Sequence, residues 1–321
     1  MTERRATAVE AVREACLLAR EIAAHLDRER THLKADASPV TVADLAVQAL
    51  IVHRLREALG DVPLVAEEDA DAVRRDGALR SRVLDHVRRH VPSLSEQQLV
   101  QLLDRGGHAG GAGSFWTLDP IDGTKGFLRG EQYAIALAMI DEGQPQLGVL
   151  GCPSLPCPAE PGCVAIAVAG QGATLRGITD PTERPIRTSP IRDPARAAFC
   201  ESVEAAHSSH GDAARIAAQL GITAPPVRMD SQCKYVAVAR GDAEIYLRLP
   251  TRAGYEEKIW DHAAGALLVR EAGGAITDVL GRPLEFSLGR TLHANRGVIA
   301  SNGALHDRVL GVTRPMFQHL A

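Results

Sequence analysis

The chain opens on a helical pattern. Between residues 6 and 33 the apolar positions include Val9, Val12, Cys16, Leu17, Ala19, Ile22, Ala23 and Leu26, with charges between them. That spacing keeps one stripe apolar on a 3.6-residue period and predicts an amphipathic helix. A polar break, KADASPVT, follows. A second helical pattern then opens near Thr41 and closes before Gly60. PLVAEED is a short apolar run ending in acids, which predicts a strand running into a loop. Residues 71–105, rich in Arg, Asp, Gln and Leu, predict one or two solvated helices. GGHAGGAGS at 106–114 has no strand-then-helix context for holding a phosphate and reads as a hinge or loop.

From residue 115 the period changes toward that of strands. FWTLDPIDGTKGF begins as a strand and breaks at Pro120 and Gly123, because proline lacks an N–H for a ladder and glycine permits a sharp turn. YAIALAMI and QLGVLGCP predict two strands joined at EGQP as a hairpin, and CVAIAVAGQGATLRG predicts two more. Near 180–195 the chain turns rich in Pro, Arg and Thr, so the expected domain division is 1–190 and 191–321. Beyond it, RAAFCES, PPVRMDS and AEIYLRLP read as strands. GDAARIAAQLG and WDHAAGALLVREAGG read as helices. The fold class is therefore α/β, with sheets and helices in layers.

Composition narrows the function. At 321 residues the chain is long enough for about two domains at roughly 150 residues each. Hydrophobic residues make up 45% and charged residues 24%, which fits a globular core and argues against disorder. The net charge of -4 offers no electrostatic case for nucleic-acid binding. No apolar run reaches the roughly 18 residues that a membrane span needs, and no secretion signal opens the chain, so a cytoplasmic location is expected. Cys152, Cys157 and Cys163 cluster in a Pro-rich stretch without a neighbouring His and read as ordinary reduced thiols rather than a zinc site.

Acids supply the candidate chemistry. Asp119, Pro120, Ile121, Asp122, Gly123 and Thr124 form a strand end able to aim two carboxylates and a backbone carbonyl at one point, the oxygen donors that hard cations such as Mg²⁺ take. Asp44 lies one turn inside the second helix. Glu67, Glu68 and Asp69 end the first strand. Asp261 opens a later helix. Taken singly, each has an ordinary role as a helix-dipole partner, a solvated loop or an N-cap.

Taken together they form a pattern. PVTVAD (39–44), VAEE (65–68), DPIDGT (119–124) and WDHAAG (260–265), in this order, resemble the inositol monophosphatase superfamily over about residues 6–303. The longer runs at 116–134, 230–235 (DSQCKY), 246–250 (YLRLP) and 257–265, with HSSH at 207–210, resemble its 3'(2'),5'-bisphosphate nucleotidase branch. The resemblance implies an αβαβα sandwich and a lithium-sensitive phosphatase with two or three Mg²⁺. It implies metal ligands at Glu67, Asp119, the Ile121 carbonyl, Asp122 and Asp261. Asp44, Glu67 and Thr124 would orient and deprotonate the attacking water. Asp122, Thr124, His207, Ser231, Lys234 and Arg248 would contact substrate, with Lys234 and Arg248 suited to a second phosphate.

The small-molecule substrate implied is adenosine 3',5'-bisphosphate, cleaved to AMP and phosphate. Its sulfated relative, phosphoadenosine phosphosulfate, is a further candidate, and sulfate assimilation is the implied setting. Alternatives are an inositol or fructose phosphate phosphatase of the same superfamily, and a non-catalytic nucleotide sensor. A monomer or a homodimer fits equally.

Overall fold

The computed structural model describes residues 1–29, 39–158, 160–203, 210–250 and 254–320. Helix α1 (Thr2–Glu29) and helix α2 (Pro39–Leu59) match the two opening patterns. Pro39 stands at the first turn of α2, where its missing N–H has no helical partner to lose. Strand β1 (Leu64–Ala66) follows. The 71–105 stretch holds three helices rather than one or two: α3 (Asp71–Arg75), α4 (Gly77–Val87) and α5 (Glu96–Asp104). The break between α3 and α4 is set by Asp76, whose side chain accepts from the amides of Ala78 and Leu79. Ser95 and Gln98 form a capping box that starts α5. Such local caps cut a continuous polar–apolar pattern into pieces that periodicity alone runs together.

Strand β2 (Phe115–Asp122) passes through Pro120 and stops only at Gly123. Pro120 is accommodated because the register with strand β3 (Ala134–Asp141) shifts between Asp119 and Asp122, so the proline sits where no ladder bond is required. Helix α6 (Thr124–Arg129) lies between them. Strands β4 (Gln144–Cys152), β5 (Cys163–Val168), β6 (Gly172–Gly177) and β7 (Arg184–Ile186) complete a seven-stranded sheet in sequential order. Only the β1–β2 pair is parallel in it. Cys152 ends β4 and Cys163 begins β5, both buried and directly opposite each other, so two of the three clustered cysteines belong to the sheet.

The chain leaves this sheet after Ile186 and enters a second one at strand β8 (Phe199–Glu201). Helix α7 (His210–Leu220), strand β9 (Val227–Arg228), helix α8 (Cys233–Ala239) and strand β10 (Ile245–Arg248) follow. Helix α9 (Ala263–Glu271), strand β11 (Ala275–Thr277), strand β12 (Val298–Ser301) and helix α10 (His306–Phe317) close the fold. The second sheet runs β11-β12-β10-β8-β9.

Side-chain alternation sorts the layers. On β3, Ile135, Leu137 and Met139 join the cluster built with α1 and α2. Ala134, Ala136 and Ala138 face the opposite way, against α8 and α9. The small side chains on that face admit a close-packed helical layer that is itself rich in Ala. Beyond that layer lies the second sheet. Its outer face (Phe199, Ile245, Leu247 and Ile299) packs with Ile216 of α7 and Val309 and Phe317 of α10. The order is helices, sheet, helices, sheet, helices: the αβαβα sandwich that the resemblance implied. Among the described residues, no helix is long and apolar enough to cross a membrane.

Candidate active site

A cavity of about 360 Å³ opens where the first sheet, α8 and the second sheet meet. Strict alternation along β2 would send Asp119 and Asp122, an odd spacing, to opposite faces. The register shift between them cancels that, and both line the cavity with Ile121. Gly123 then turns the chain at φ +86°, and a side chain there would meet Ser231 Cβ at 2.8 Å. Thr124 opens α6 on the cavity wall, and its Oγ1 donates to the Ile121 carbonyl at 3.5 Å. Glu67, just past β1, and Asp261, in a 3₁₀ turn (Ile259–Asp261) before α9, complete the acidic wall. Asp261 does not cap α9, as the sequence allowed. His262 holds the cap position, and Asp261 is freed to face the cavity.

These acids crowd one another. Burial, with the neighbouring Glu67, Asp122 and Asp261 charges, raises Asp119 well above the usual carboxylate range. Glu67 is open to solvent on one side, yet the protein packed around its carboxylate and the Asp261 charge push it up to about 7. Asp261 rises to about 6, chiefly through burial, with Arg248 pulling the other way. Asp44 is buried behind this wall and does not line the cavity. Burial and the charges of Glu68 and Glu67 raise it well above its usual range.

Asp119 Oδ1 is buried and has no hydrogen-bond partner. An orphaned carboxylate oxygen among three other carboxylates fits a hard divalent cation, which would satisfy it and remove the repulsion.

The opposite wall is basic. Lys234, on α8, is only 3% exposed and lines the cavity. Its Nζ donates to the Met229 carbonyl at 3.4 Å and sits 5.3 Å over the Tyr246 ring. Burial lowers its pKa, opposed by Asp122. Arg248 shares a face of β10 with Tyr246, and both reach the cavity. Ser231 has φ +65°, and its Oγ accepts from the Cys233 amide at 3.2 Å. The backbone amide of Gln232 donates to Asp122 Oδ2 at 2.6 Å, so the turn before α8 also holds Asp122. His207 lies outside the described residues.

Several partners were not singled out in the sequence. Arg248 Nε lies 2.6 Å from Glu257 Oε2, and its Nη2 lies 3.2 Å from Asp261 Oδ2. His262 Nε2 is 3.2 Å from the same Glu257 oxygen, and Tyr235 Oη is 2.7 Å from His262 Nδ1. Burial alone would raise Glu257. The His262 hydrogen bond and the Arg248 charge hold it down at about 2. Glu257, Asp261 and His262 bring ligand atoms within 4.8 Å of one another. Arg248 already compensates that trio, so it is a hydrogen-bonded ion network, whereas Glu67 and Asp119 form no ion pair with an arginine of this kind among the described residues. Tyr255, 48% exposed at the cavity rim, and Ser202, Asp230 and Lys125 line it too. The spacing Glu257–Asp261 was the one available signal for the network, and it does not reveal that Arg248 stands between them.

This fold and site define a class, and comparison with known proteins agrees. The profile of the Inositol monophosphatase family matches residues 1–316, and the chain belongs to that family. It is 43% identical over 319 residues to a 3'(2'),5'-bisphosphate nucleotidase of Emericella nidulans, covering 89% of this chain and 90% of that one. A Schizosaccharomyces pombe protein of the same name is 40% identical, covering 98% and 97%. In structure the chain is similar to Thermotoga maritima IMPase (TM-score 0.65, 21% identity, 98% and 97% covered). It is also similar to Mycobacterium tuberculosis SuhB (TM-score 0.65, 21% identity, 100% and 98% covered).

Proposed function

We propose that the chain is a metal-dependent 3'(2'),5'-bisphosphate nucleotidase that converts adenosine 3',5'-bisphosphate to AMP and phosphate. One observation carries this reading: a single cavity has an acidic wall with an unsatisfied carboxylate oxygen and, across it, a basic wall of Lys234 and Arg248. A substrate with two anionic groups meets both. The names of the relatives at 40–43% identity support the same assignment.

Glu67, Asp119, the Ile121 carbonyl, Asp122 and Asp261 would hold Mg²⁺, two or three ions in all. When bound, Mg²⁺ supplies positive charge against which these acids ionise and the phosphoryl group is polarised. Glu67, Thr124 and Asp44 would orient the attacking water and take its proton. The raised proton affinity of Glu67 and the nearness of Asp44 to it support that role. Lys234 and Arg248 would bind the 5'-phosphate, with Ser231 and His207 beside it. Arg248 offers a planar, permanently charged fork held in place by Glu257, which favours charge-assisted contacts of fixed direction.

Phosphoadenosine phosphosulfate presents the same two anionic ends and is expected as a second substrate. Lithium inhibition and a place in sulfate assimilation accompany this reading. We also propose that residues 1–190 and 191–321 act as two units, with the cavity between them.

The test is phosphate release with Mg²⁺ from adenosine 3',5'-bisphosphate, run beside inositol 1-phosphate, inositol 1,4-bisphosphate and fructose 1,6-bisphosphate. The nucleotide is expected to dominate, with AMP as product. Turnover of an inositol or sugar phosphate alone would keep the metal chemistry and sink the nucleotide assignment. Nucleotide binding without turnover would make the protein a sensor.

A further inference from the structure

Glu67 and Asp261 reach the cavity from distant parts of the chain. Glu67 follows β1, whose amide at Ala66 bonds to the carbonyl of Gly106 at 2.9 Å, and His108 N bonds to Leu64 O at 3.0 Å. Residues 106–108 therefore form a strip along the free side of β1. Asp261 follows a segment that pairs elsewhere. Leu292 N donates to Glu257 O at 2.8 Å, Ile259 N donates to Arg290 O at 3.2 Å, and Lys258 bridges Thr291. Among the described residues no backbone ladder joins these two assemblies, yet their carboxylates line one cavity and would belong to one metal cluster under the reading above.

One side chain spans the gap. Arg290 Nη2 donates to the Ala66 carbonyl at 2.6 Å, one residue before Glu67. Its Nη1 donates to Gly106 O at 3.1 Å and His108 O at 3.0 Å. The guanidinium carbon lies 5.0 Å from the centroid of the Trp260 ring, one residue before Asp261. Next to it the backbones nearly touch: a side chain at Gly110, where φ is +76°, would meet Gly289 O at 2.8 Å. Arg290 does not line the cavity, so it contacts no substrate there.

We propose that Arg290 is a positioning residue that sets the spacing between Glu67 and Asp261. Guanidinium chemistry suits the task. Its edges donate in a fixed plane to carbonyls of two segments while its face stacks on an indole. A lysine has a point charge and no such plane, and a methionine keeps the stem but donates nothing.

The inference rests on the metal reading, and the experiment separates the two. Wild type, Arg290→Met and Arg290→Lys are titrated with Mn²⁺ and with Mg²⁺ by calorimetry, without substrate. Arg290→Met is expected to bind at least tenfold more weakly, with Arg290→Lys between it and wild type. At saturating Mg²⁺ the KM for adenosine 3',5'-bisphosphate stays within about twofold. A residue that merely stabilised the fold would lower the melting temperature and leave the metal affinity of the folded protein unchanged.

Wild-type affinity in a folded Arg290→Met overturns the inference alone. Failure of wild type to bind either ion overturns the metal reading with it. If Arg290→Met does not fold, hydrogen exchange on wild type reads the same coupling: Mn²⁺ should slow exchange severalfold across residues 105–108, none of which is assigned as a ligand. Unchanged exchange there overturns the inference.

Discussion

Two glutamates behave in opposite ways: Glu67 in the acidic wall of the cavity, and Glu257 behind the Arg248 of its basic wall. Glu67 faces Asp119 and Asp261 and is pushed up to about 7, first by burial and then by like charge. Glu257, which is buried, is held at about 2 because His262 and Arg248 more than offset the cost of burial. Desolvation pushes both carboxyls up; what separates them is the sign of the neighbouring charges. The Glu257 side is compensated within the chain and holds its geometry unaided. The Glu67 side is uncompensated and calls for a cation from outside.

The strongest way to break the comparison is to remove an acid from the uncompensated wall. Asp122→Asn keeps size and shape, and Gln232 N can still bond the remaining oxygen. Turnover is expected to fall at least a thousandfold, on the order of 4 kcal/mol of barrier, while circular dichroism stays native. Retained activity would remove Asp122 from the ligand set.

Next is Arg248→Met, which strips the compensation from the other wall. Glu257 would be left buried with only His262, a loss on the order of 3–5 kcal/mol in stability by chemical denaturation. A double variant with Glu257→Gln should recover much of that stability and none of the bisphosphate affinity. If the double variant is no more stable than the single one, the two charges are not coupled.

A third test uses pH. A carboxyl whose folded pKa exceeds its unfolded one holds its proton more tightly when folded. For Glu67 that stabilising contribution is complete below 4.5 and lost as pH rises through about 7; for Asp261 the window runs from 3.8 to about 6. Glu257 has the reverse sign, and its contribution is lost only as pH falls from 4.5 through about 2, outside this range. In EDTA the melting temperature should therefore fall between pH 5 and pH 8. Millimolar Mg²⁺ should reverse the fall at pH 8, since it binds the ionised acids of the native state. A flat profile in EDTA would mean that the acids are already compensated.

The smallest effect is expected from Lys234→Met, which keeps the buried stem and removes the charge. KM for adenosine 3',5'-bisphosphate should rise about tenfold, with kcat nearly unchanged. Turnover of inositol 1-phosphate, which has no second phosphate, should hardly move. An equal loss on both substrates would place Lys234 at the reacting phosphate instead.

Much of this was legible in the chain. The opening helices, the β3–β4 hairpin and the carboxylates Glu67, Asp119, Asp122 and Asp261 follow from periodicity and from the order of four short motifs. What was not legible depends on contacts between segments far apart. Pro120 reads as a strand breaker, but a register shift against β3 lets β2 run through it and turns Asp119 and Asp122 to one side. Lys234 is expected at the substrate through the resemblance alone; that it is buried follows only from α8 lying between two sheets. Asp261, a possible cap when taken singly, stands in a 3₁₀ turn that aims it at the cavity.

The sequence by itself determined the kinds of groups present: the acids, the two basic residues, the apolar periods and the turns, because these are properties of residue type and local spacing. Only the tertiary structure decided which acids are compensated and which are not. Coulomb interactions act over a few ångströms of space, and Arg248, Glu257, Glu67 and Arg290 become neighbours of their partners only when the layers close.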